Sequence, residues 1–393
     1  MSPRSLLALA CTAGVLAGCD ASDSTFDTPA PSEAPMPIAD GSGLDVRGGT
    51  LEAEVWPDHY IVVLDETVTD VQATIDELLF LLDADVLFTY TDALPGFAVR
   101  MSEADAQLLG LNPLVSIVEP DFLVSLLPIF QSPPEDQPSE MQMLPYGIRD
   151  VGGPFDGAGQ RAWVLDTGID MDHADLSVDQ TRSRTFATGT TSADDQQGHG
   201  THVAGTIGAL DNGIDVVGVA AGASLVSVRV LGADGSGSYS SIIAGLDYTA
   251  SAAAPGDVAN LSLGGPASDA LDQAVIGVAE NGILVSIAAG NDAENANNTS
   301  PARVNHPNVY TISAVGNDNG FAFFSNFGNP PVDYAAPGVN VLSTRLGGGT
   351  TYLSGTSMAA PHVAGLLLLG DVQSRGTATG DPDGTPDPLA VRR

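Results

Sequence analysis

The chain has 393 residues, enough for one large or two ordinary domains, and 43% of them are hydrophobic, so a globular fold is expected. Its formal net charge is −36, and all 13 of its basic residues are arginine. Such a surface repels nucleic acid and anionic membranes and disfavours both as partners. The acidity suits a solvated, salt-adapted exterior; in a narrower reading, some of the carboxylates bind calcium.

Residues 1–18 carry Arg4 ahead of an apolar run too short to span a membrane comfortably, the pattern of a secretory signal. The run ends in Leu16-Ala17-Gly18-Cys19, which resembles the lipobox of bacterial lipoproteins and implies lipid on Cys19. The plainer reading is an ordinary signal with an incidental cysteine. Cys11 would leave with the signal, so no pair remains for an intrachain disulfide. Residues 19–57 are rich in Ser, Asp, Pro and Gly and predict a flexible tether.

A small unit is predicted over 58–127. "HYIVVLD" reads as a strand, "VTDVQATIDELLFLL" as an amphipathic helix, and "DVLFTYT" and "GFAVRM" as two more strands. Ser102 and Asp105 have capping-box spacing before a second helix, and "LVSIVEPD" closes with a strand. The order βαββαβ is that of a ferredoxin-like α+β unit. Residues 128–144 include "PIFQSPPEDQPSE" and predict an exposed linker.

Over 145–393 the apolar strands "RAWVLD", "SLVSVRVL", "VANLSLG" and "GILVSIAAG" alternate with helical stretches. That pattern predicts an α/β domain, a mostly parallel sheet covered by helices on both faces. Ligands of such sheets gather beyond the carboxyl ends of the strands. Asp166 ends one strand and Asn291 follows another, where each alone would simply form a turn. His199 opens a Gly- and Ala-rich helix in "GHGTHVAGTIGAL". It lies three residues from His202 with no glutamate after it, which argues against a zinc helix. Ser357 precedes the apolar run of "GTSMAAPHVAGLLLL", the place of a helix N-cap, and Pro361 suits a first turn.

Together these residues supply what acyl transfer requires. A serine hydroxyl needs a base to take its proton, and the imidazole needs a carboxylate to fix its tautomer. The tetrahedral oxyanion needs donors, which an Asn amide and a backbone N–H can provide. The serine context is Gly-Thr-Ser-Met-Ala, so the G-x-S-x-G elbow of esterases is absent.

"VLDTGID", "GHGTHVAGT" and "GTSMAAPHVAG" resemble the three catalytic motifs of the subtilases, nearest the proteinase K branch, over roughly residues 145–370. The resemblance implies a subtilisin-like fold and a secreted endopeptidase made as a zymogen. It assigns Asp166, His199 and Ser357 to the triad, and the Asn291 amide with the Ser357 N–H to the oxyanion hole. His202 and His362 fall outside the triad, with packing or hydrogen bonding as their role. "GSGSYS" and "LSLGG" resemble the two segments that clamp an extended peptide: Gly235, Ser236 and Gly237 on one side, Ser262, Leu263 and Gly264 on the other. Leu263, Gly264, Ala289 and Gly290 would line the pocket for the residue before the cut, and Tyr239 would border a second apolar pocket. No charge is evident in those segments, which implies cleavage after apolar or aromatic residues.

The unit before the linker resembles the subtilase propeptide, an intramolecular chaperone and inhibitor. A structural calcium site also follows from the resemblance: Pro307 and Val309 through backbone oxygens, with Asp333. Two features depart from the family. Only 24 residues follow Leu369, a short C-terminus that predicts an under-covered sheet, and "HADL" from His173 replaces the usual H-P-x-L. The competing reading is a lipid-anchored binding or inhibitor protein with an inactive protease domain. In the leading reading the precursor sits lipid-anchored in the cell envelope and the mature enzyme is extracellular.

Overall fold

The computed structural model describes residues 54–126, 130–131, 141–370 and 372–393. The signal segment, Cys19, the tether as far as residue 53 and linker residues 132–140 lie outside the described residues. The first part of the chain runs β1 (Glu54–Leu64), α1 (Val71–Leu79), β2 (Asp85–Tyr90), β3 (Gly96–Arg100), α2 (Glu103–Leu109) and β4 (Val115–Ser125). Its antiparallel strands lie in the order β4-β1-β3-β2. The tether boundary moves, because Glu54 and Val55 already pair with Leu123 and Phe122.

"IVVL" is a continuous apolar run because both of its faces are covered. Val62 and Leu64 meet Ile75, Phe97, Val99 and Leu109 under α1 and α2. Ile61 and Val63 point the other way, into the core of the large sheet; alternation places them there. Asp70 caps α1 by accepting from Ala73 N–H, and Ser102 caps α2 by accepting from Asp105 N–H. α1 stops at Leu79, short of the expected Leu82. Val71, Ile75, Leu78 and Leu79 form its inner stripe, so Phe80 and Leu81 fall outside the stripe and stand exposed.

After β5 (Phe130–Gln131) come α3 (Tyr146–Asp150), β6 (Phe155–Asp156), β7 (Arg161–Asp166), β8 (Arg184–Thr185), α4 (His199–Gly208) and β9 (Ala220–Ala221). Next are β10 (Ser224–Arg229), β11 (Ser236–Ser238), α5 (Tyr239–Ala252), β12 (Val258–Leu261), β13 (Gly265–Pro266) and α6 (Asp269–Glu280). β14 (Leu284–Ala288), β15 (Thr299–Ser300), β16 (Val309–Val315), β17 (Val332–Pro337) and β18 (Val341–Thr344) follow. The chain ends with β19 (Thr350–Ser354), α7 (Thr356–Leu367), β20 (Gln373–Thr377) and β21 (Pro388–Val391).

Nine strands form the large sheet in the order β20-β21-β17-β16-β14-β12-β7-β10-β8, and all but the β20–β21 pair run parallel. One core cluster packs α5 and α6 on one face, and another packs α4 and α7 on the opposite face. Two expectations change here. Linker residues are partly built into the fold: β5 pairs with β19, and Gln142 Oε1 accepts from Asn212 and Gly213 N–H. Where an under-covered sheet was expected, the C-terminal residues add β21 beside β17 and β20 beside β21. Buried Asp387 anchors them, accepting from Ser313 Oγ at 2.5 Å and Asn329 Nδ2 at 2.9 Å.

The small sheet docks on α5 and α6 through carboxylates at helix N-termini. Asp121 Oδ1 accepts from Ser240 N–H, in the first turn of α5. Glu119 accepts from the Ser268 hydroxyl and from Asp269 N–H at the start of α6. Negative charge is favoured at those positions. In return, Asp247 Oδ1 on α5 accepts from Thr91, Asp92 and Ala93 N–H at 2.7–2.9 Å. Gly277 on α6 lets the Ala93 carbonyl approach; a Cβ there would stand 1.7 Å from that oxygen.

Candidate active site

β14, β12 and β7 are consecutive in the sheet, and their carboxyl ends release Asn291, Ser262 and Asp166 on one side. His199 is the first residue of α4. Gly198 in the cap position has no side chain to offer, and Asp195 does the capping from outside the helix. Its Oδ2 accepts from Thr201 N–H and Oγ1–H, and its Oδ1 accepts from Gln197 N–H, Gly198 N–H and the Thr167 hydroxyl. One buried carboxylate thus ties the His199 helix to the loop after Asp166.

His199 Nδ1 lies 2.8 and 2.9 Å from the two oxygens of Asp166, and both side chains are buried. A carboxylate only accepts, so Nδ1 carries the proton and neutral Nε2 is left as an acceptor. Nε2 is buried and without a hydrogen-bond partner. Ser357 is the second residue of α7 and does not cap it; Gly355 occupies the cap position. Its Oγ donates to the Ser262 carbonyl at 3.2 Å.

Pro361 lies beyond the first turn, where a proline removes the helical donor to the carbonyl four residues back. That carbonyl is Ser357 O, and the Ser262 hydroxyl supplies the missing bond at 2.8 Å.

Asn291 Oδ1 accepts from both Thr356 N–H (2.8 Å) and Thr356 Oγ1–H (2.9 Å). The Thr356 hydroxyl in turn accepts from Gly290 N–H. The amide is therefore held by its oxygen end, with Nδ2 left to donate. A cleft lies beside Ser357, walled by Ser262, Leu263 and Gly264 and by Ala289, Gly290 and Asn291. It is mostly apolar, but Asp292 also lines it, a carboxylate the sequence reading did not place. Burial, then Glu294, raises the Asp292 pKa.

Tyr239 is fully buried; its hydroxyl donates to Pro266 O, and Phe122 meets its ring edge-on at 5.8 Å. The cleft is also lined by Val124 and Leu126 of the N-terminal segment. Leu123–Ser125 pair antiparallel with Ser236–Ser238, and Leu126 N–H donates to Gly235 O. Beyond the cleft, Phe130 and Gln131 pair with Ser354 and Leu353. The chain thus adds a strand on each side of Ser357.

His202 and His362 are fully buried, each with one ring nitrogen on a carbonyl, Val341 O and Met358 O. Burial pushes their pKa values down to about 3 and about 4, so both are neutral. Among the described residues no group of three His, Cys, Asp or Glu side chains is arranged for a metal. A cation would therefore need carbonyl and amide oxygens as well.

Two places hold a buried or half-buried carboxylate away from the active site. Asp333 sits at a register shift between β16 and β17; Oδ2 accepts from Thr311 N–H, and burial pushes its pKa up to about 6. Val309 is two residues from Thr311, and Pro307 lies exposed just before the strand.

Sequence reasoning missed the second place. Asp175 is fully buried, its Oδ1 has no partner, and burial with neighbouring Asp215 pushes its pKa up to about 7. Asp215 is also buried with an orphaned Oδ1. The available signal was an aspartate inside "HADL" together with the polar loop "LDNGID" from Leu210 to Asp215.

A carboxylate at a strand end paired with an imidazole at the start of one helix, and a serine at the start of another, are the equipment of a serine hydrolase. Residues 158–371 match the subtilase family of peptidases. The alkaline serine exoprotease A of Vibrio alginolyticus is 34% identical over 380 residues, 90% of this chain and 70% of that protein. The M-protease of Shouchella clausii (strain KSM-K16) is 41% identical over 285 residues, covering 71% of this chain and 69% of the relative. A crystal structure of a cold-adapted subtilisin-like serine proteinase superposes with a TM-score of 0.55 at 37% identity, covering 62% of this chain and 96% of that one. The chain belongs to the subtilase family and is a serine protease.

Proposed function

We propose that the protein is a secreted endopeptidase made as a zymogen. Asp166, His199 and Ser357 form its triad. Asp166 holds the His199 tautomer, Nε2 takes the Ser357 proton, and the Ser357 oxygen attacks the scissile carbonyl; Nε2 then returns the proton to the leaving amine as the C–N bond breaks, which gives an acyl-enzyme for water to hydrolyse. This requires the Ser357 hydroxyl to leave the Ser262 carbonyl and turn to Nε2. The Asn291 amide and the Ser357 N–H receive the oxyanion. The observation that carries the reading is the Asp166–His199 pair on the same sheet edge as Ser357 and the Thr356-oriented Asn291 amide.

Substrate adds as a strand beside Gly235–Gly237, as Leu123–Ser125 do. Apolar side chains enter between Leu263–Gly264 and Ala289–Gly290, with Asp292 as the one carboxylate of the lining. The segment 54–126 acts as propeptide and inhibitor, and the first cut falls between Leu126 and Phe130, the ends of the two bracketing strands. Calcium fits Asp333 with the Pro307 and Val309 carbonyls, and fits the Asp175–Asp215 pair; when bound it supplies positive charge to buried carboxylates. Among the described residues no helix is long and apolar enough to cross a membrane. Attachment of the precursor rests on lipid at Cys19.

Casein hydrolysis by the purified protein, blocked by a serine-directed phosphonate, tests the enzyme. A folded protein without turnover would overturn it. N-terminal sequencing of the released form tests the cut, and lipid labelling of full-length Ser357→Ala tests Cys19.

A further inference from the structure

The loop that carries Asn291 has no regular structure, yet an oxyanion donor must be preorganised to be effective. Asn326 supplies that order. It is fully buried, and its side chain is spent on this loop. Nδ2 donates to Ala289 O at 3.0 Å, while Oδ1 accepts from Asp292 N–H at 3.0 Å and Glu294 N–H at 3.1 Å. Its backbone N–H donates to Gly290 O at 2.9 Å.

These bonds fall on both sides of Asn291 and none falls on Asn291 itself. Gly290 has φ of +108°, and a Cβ there would stand 2.2 Å from Asn326 Nδ2, so the fit admits only glycine. Asn326 is itself anchored. The Ser325 hydroxyl accepts from Ala314 N–H in β16 and donates to Asn326 O.

We infer that Asn326 is a positioning residue for the reaction, fixing residues 289–294 so that the Asn291 amide meets the developing oxyanion. Thr356 orients the amide from one side, and Asn326 fixes the backbone it hangs from. The inference rests on the proposed oxyanion role of Asn291, which the single variant Asn291→Ala tests by itself.

The test is a double-mutant cycle between Asn326→Asp and Asn291→Ala. Aspartate keeps the shape and the Oδ1 acceptor but loses the donor to Ala289 O. Peptide nitroanilide hydrolysis is measured per active site titrated with a covalent serine reagent, so misfolded protein does not count. Alone, Asn326→Asp lowers kcat about 10- to 100-fold with KM within about threefold, the scale of a small misplacement. In the Asn291→Ala background the same change costs less than about threefold.

Asn326→Ser removes the amide without burying a charge and gives the same pattern, which covers the case in which the aspartate variant yields no titratable sites. Equal losses in both backgrounds would make Asn326 ordinary support of the fold and overturn the inference, as would an unchanged kcat. An unchanged kcat in Asn291→Ala alone would overturn the oxyanion reading beneath it.

Discussion

The two sheets use the same building blocks and hold together differently. The large sheet buries both faces under helices of its own chain segment. The small sheet covers one face with α1 and α2 over eight buried apolar residues, and its other face is buried by α5 and α6. A sheet of that size buries little apolar surface alone. Its fold and its docking are therefore close to one event. The ties that register it are polar: Glu119 and Asp121 on two helix N-termini, and Asp247 on three N–H groups. In the proposed zymogen, a segment built this way would help the large sheet assemble and later be lost.

The largest test of that difference is Ser357→Ala. In the triad reading it lowers kcat by roughly a million-fold, the scale measured for the same loss in subtilisin. Both sheets then stay on one chain, and a protein of near full length accumulates while wild type releases a fragment lacking residues 54–126. A serine variant cut as fast as wild type would show that processing is done by another protease.

Asn291→Ala comes next. It should keep the fold and lower kcat roughly 100- to 1,000-fold with KM little changed, the range measured for the corresponding subtilisin donor. The amide acts on the oxyanion and hardly touches the ground-state carbonyl. Processing in cis should slow with it, so the two sheets stay joined longer.

Asp247→Ala addresses the joint itself. It strands three N–H groups, that of Ala93 nearly buried. Losing hydrogen bonds to a charged group costs about 1.5–3 kcal/mol, or roughly 10- to 100-fold faster separation after the cut. The lag before casein hydrolysis in freshly processed full-length protein should shorten accordingly. A lag equal to wild type would mean that apolar burial alone sets the joint.

Reading these parts from sequence succeeded where the signal was local. β7 spans the quoted "RAWVLD" because a strand buried on both faces reads as one apolar run. Asp166 ends β7, His199 opens α4 and Ser357 is the second residue of α7, while Asn291 lies three residues past β14. The failures needed partners distant in the chain. Glu54 is a strand residue only because Leu123 lies beside it. Ser357 looked like a cap, but the Ser262 hydroxyl 95 residues earlier satisfies the carbonyl that Pro361 leaves open, and no serine cap is used. Asn326 lies in no quoted motif and Asp175 only inside "HADL"; the one is defined by a loop it braces and the other by an oxygen left without a donor.

The smallest effect on catalysis, and a sharp one on stability, concerns what would brace the large sheet if the small one were released. The described residues contain no cysteine, and burial raises the pKa values of Asp175 to about 7 and Asp333 to about 6. Both lie above the ordinary carboxylate value near 4, so the ion-free native state holds protons that the unfolded chain would release. The stability this contributes is present at pH 4 and is lost as pH rises through 6 and 7. In the calcium reading, the ion takes the place of those protons and requires the ionised carboxylates.

In chelator, melting should therefore fall between pH 5 and pH 8, while millimolar calcium holds it up, with the widest gap at pH 8. At free calcium 100 times Kd the ion adds about 2.7 kcal/mol, or roughly 5–10 °C for a domain of this size. Asp175→Asn and Asp333→Asn each remove the share of their own site and leave kcat at 25 °C unchanged. If only one variant closes the gap, the ion sits there alone. If melting is the same with and without calcium at pH 8, neither carboxylate holds an ion, and the large sheet stands on its two apolar cores.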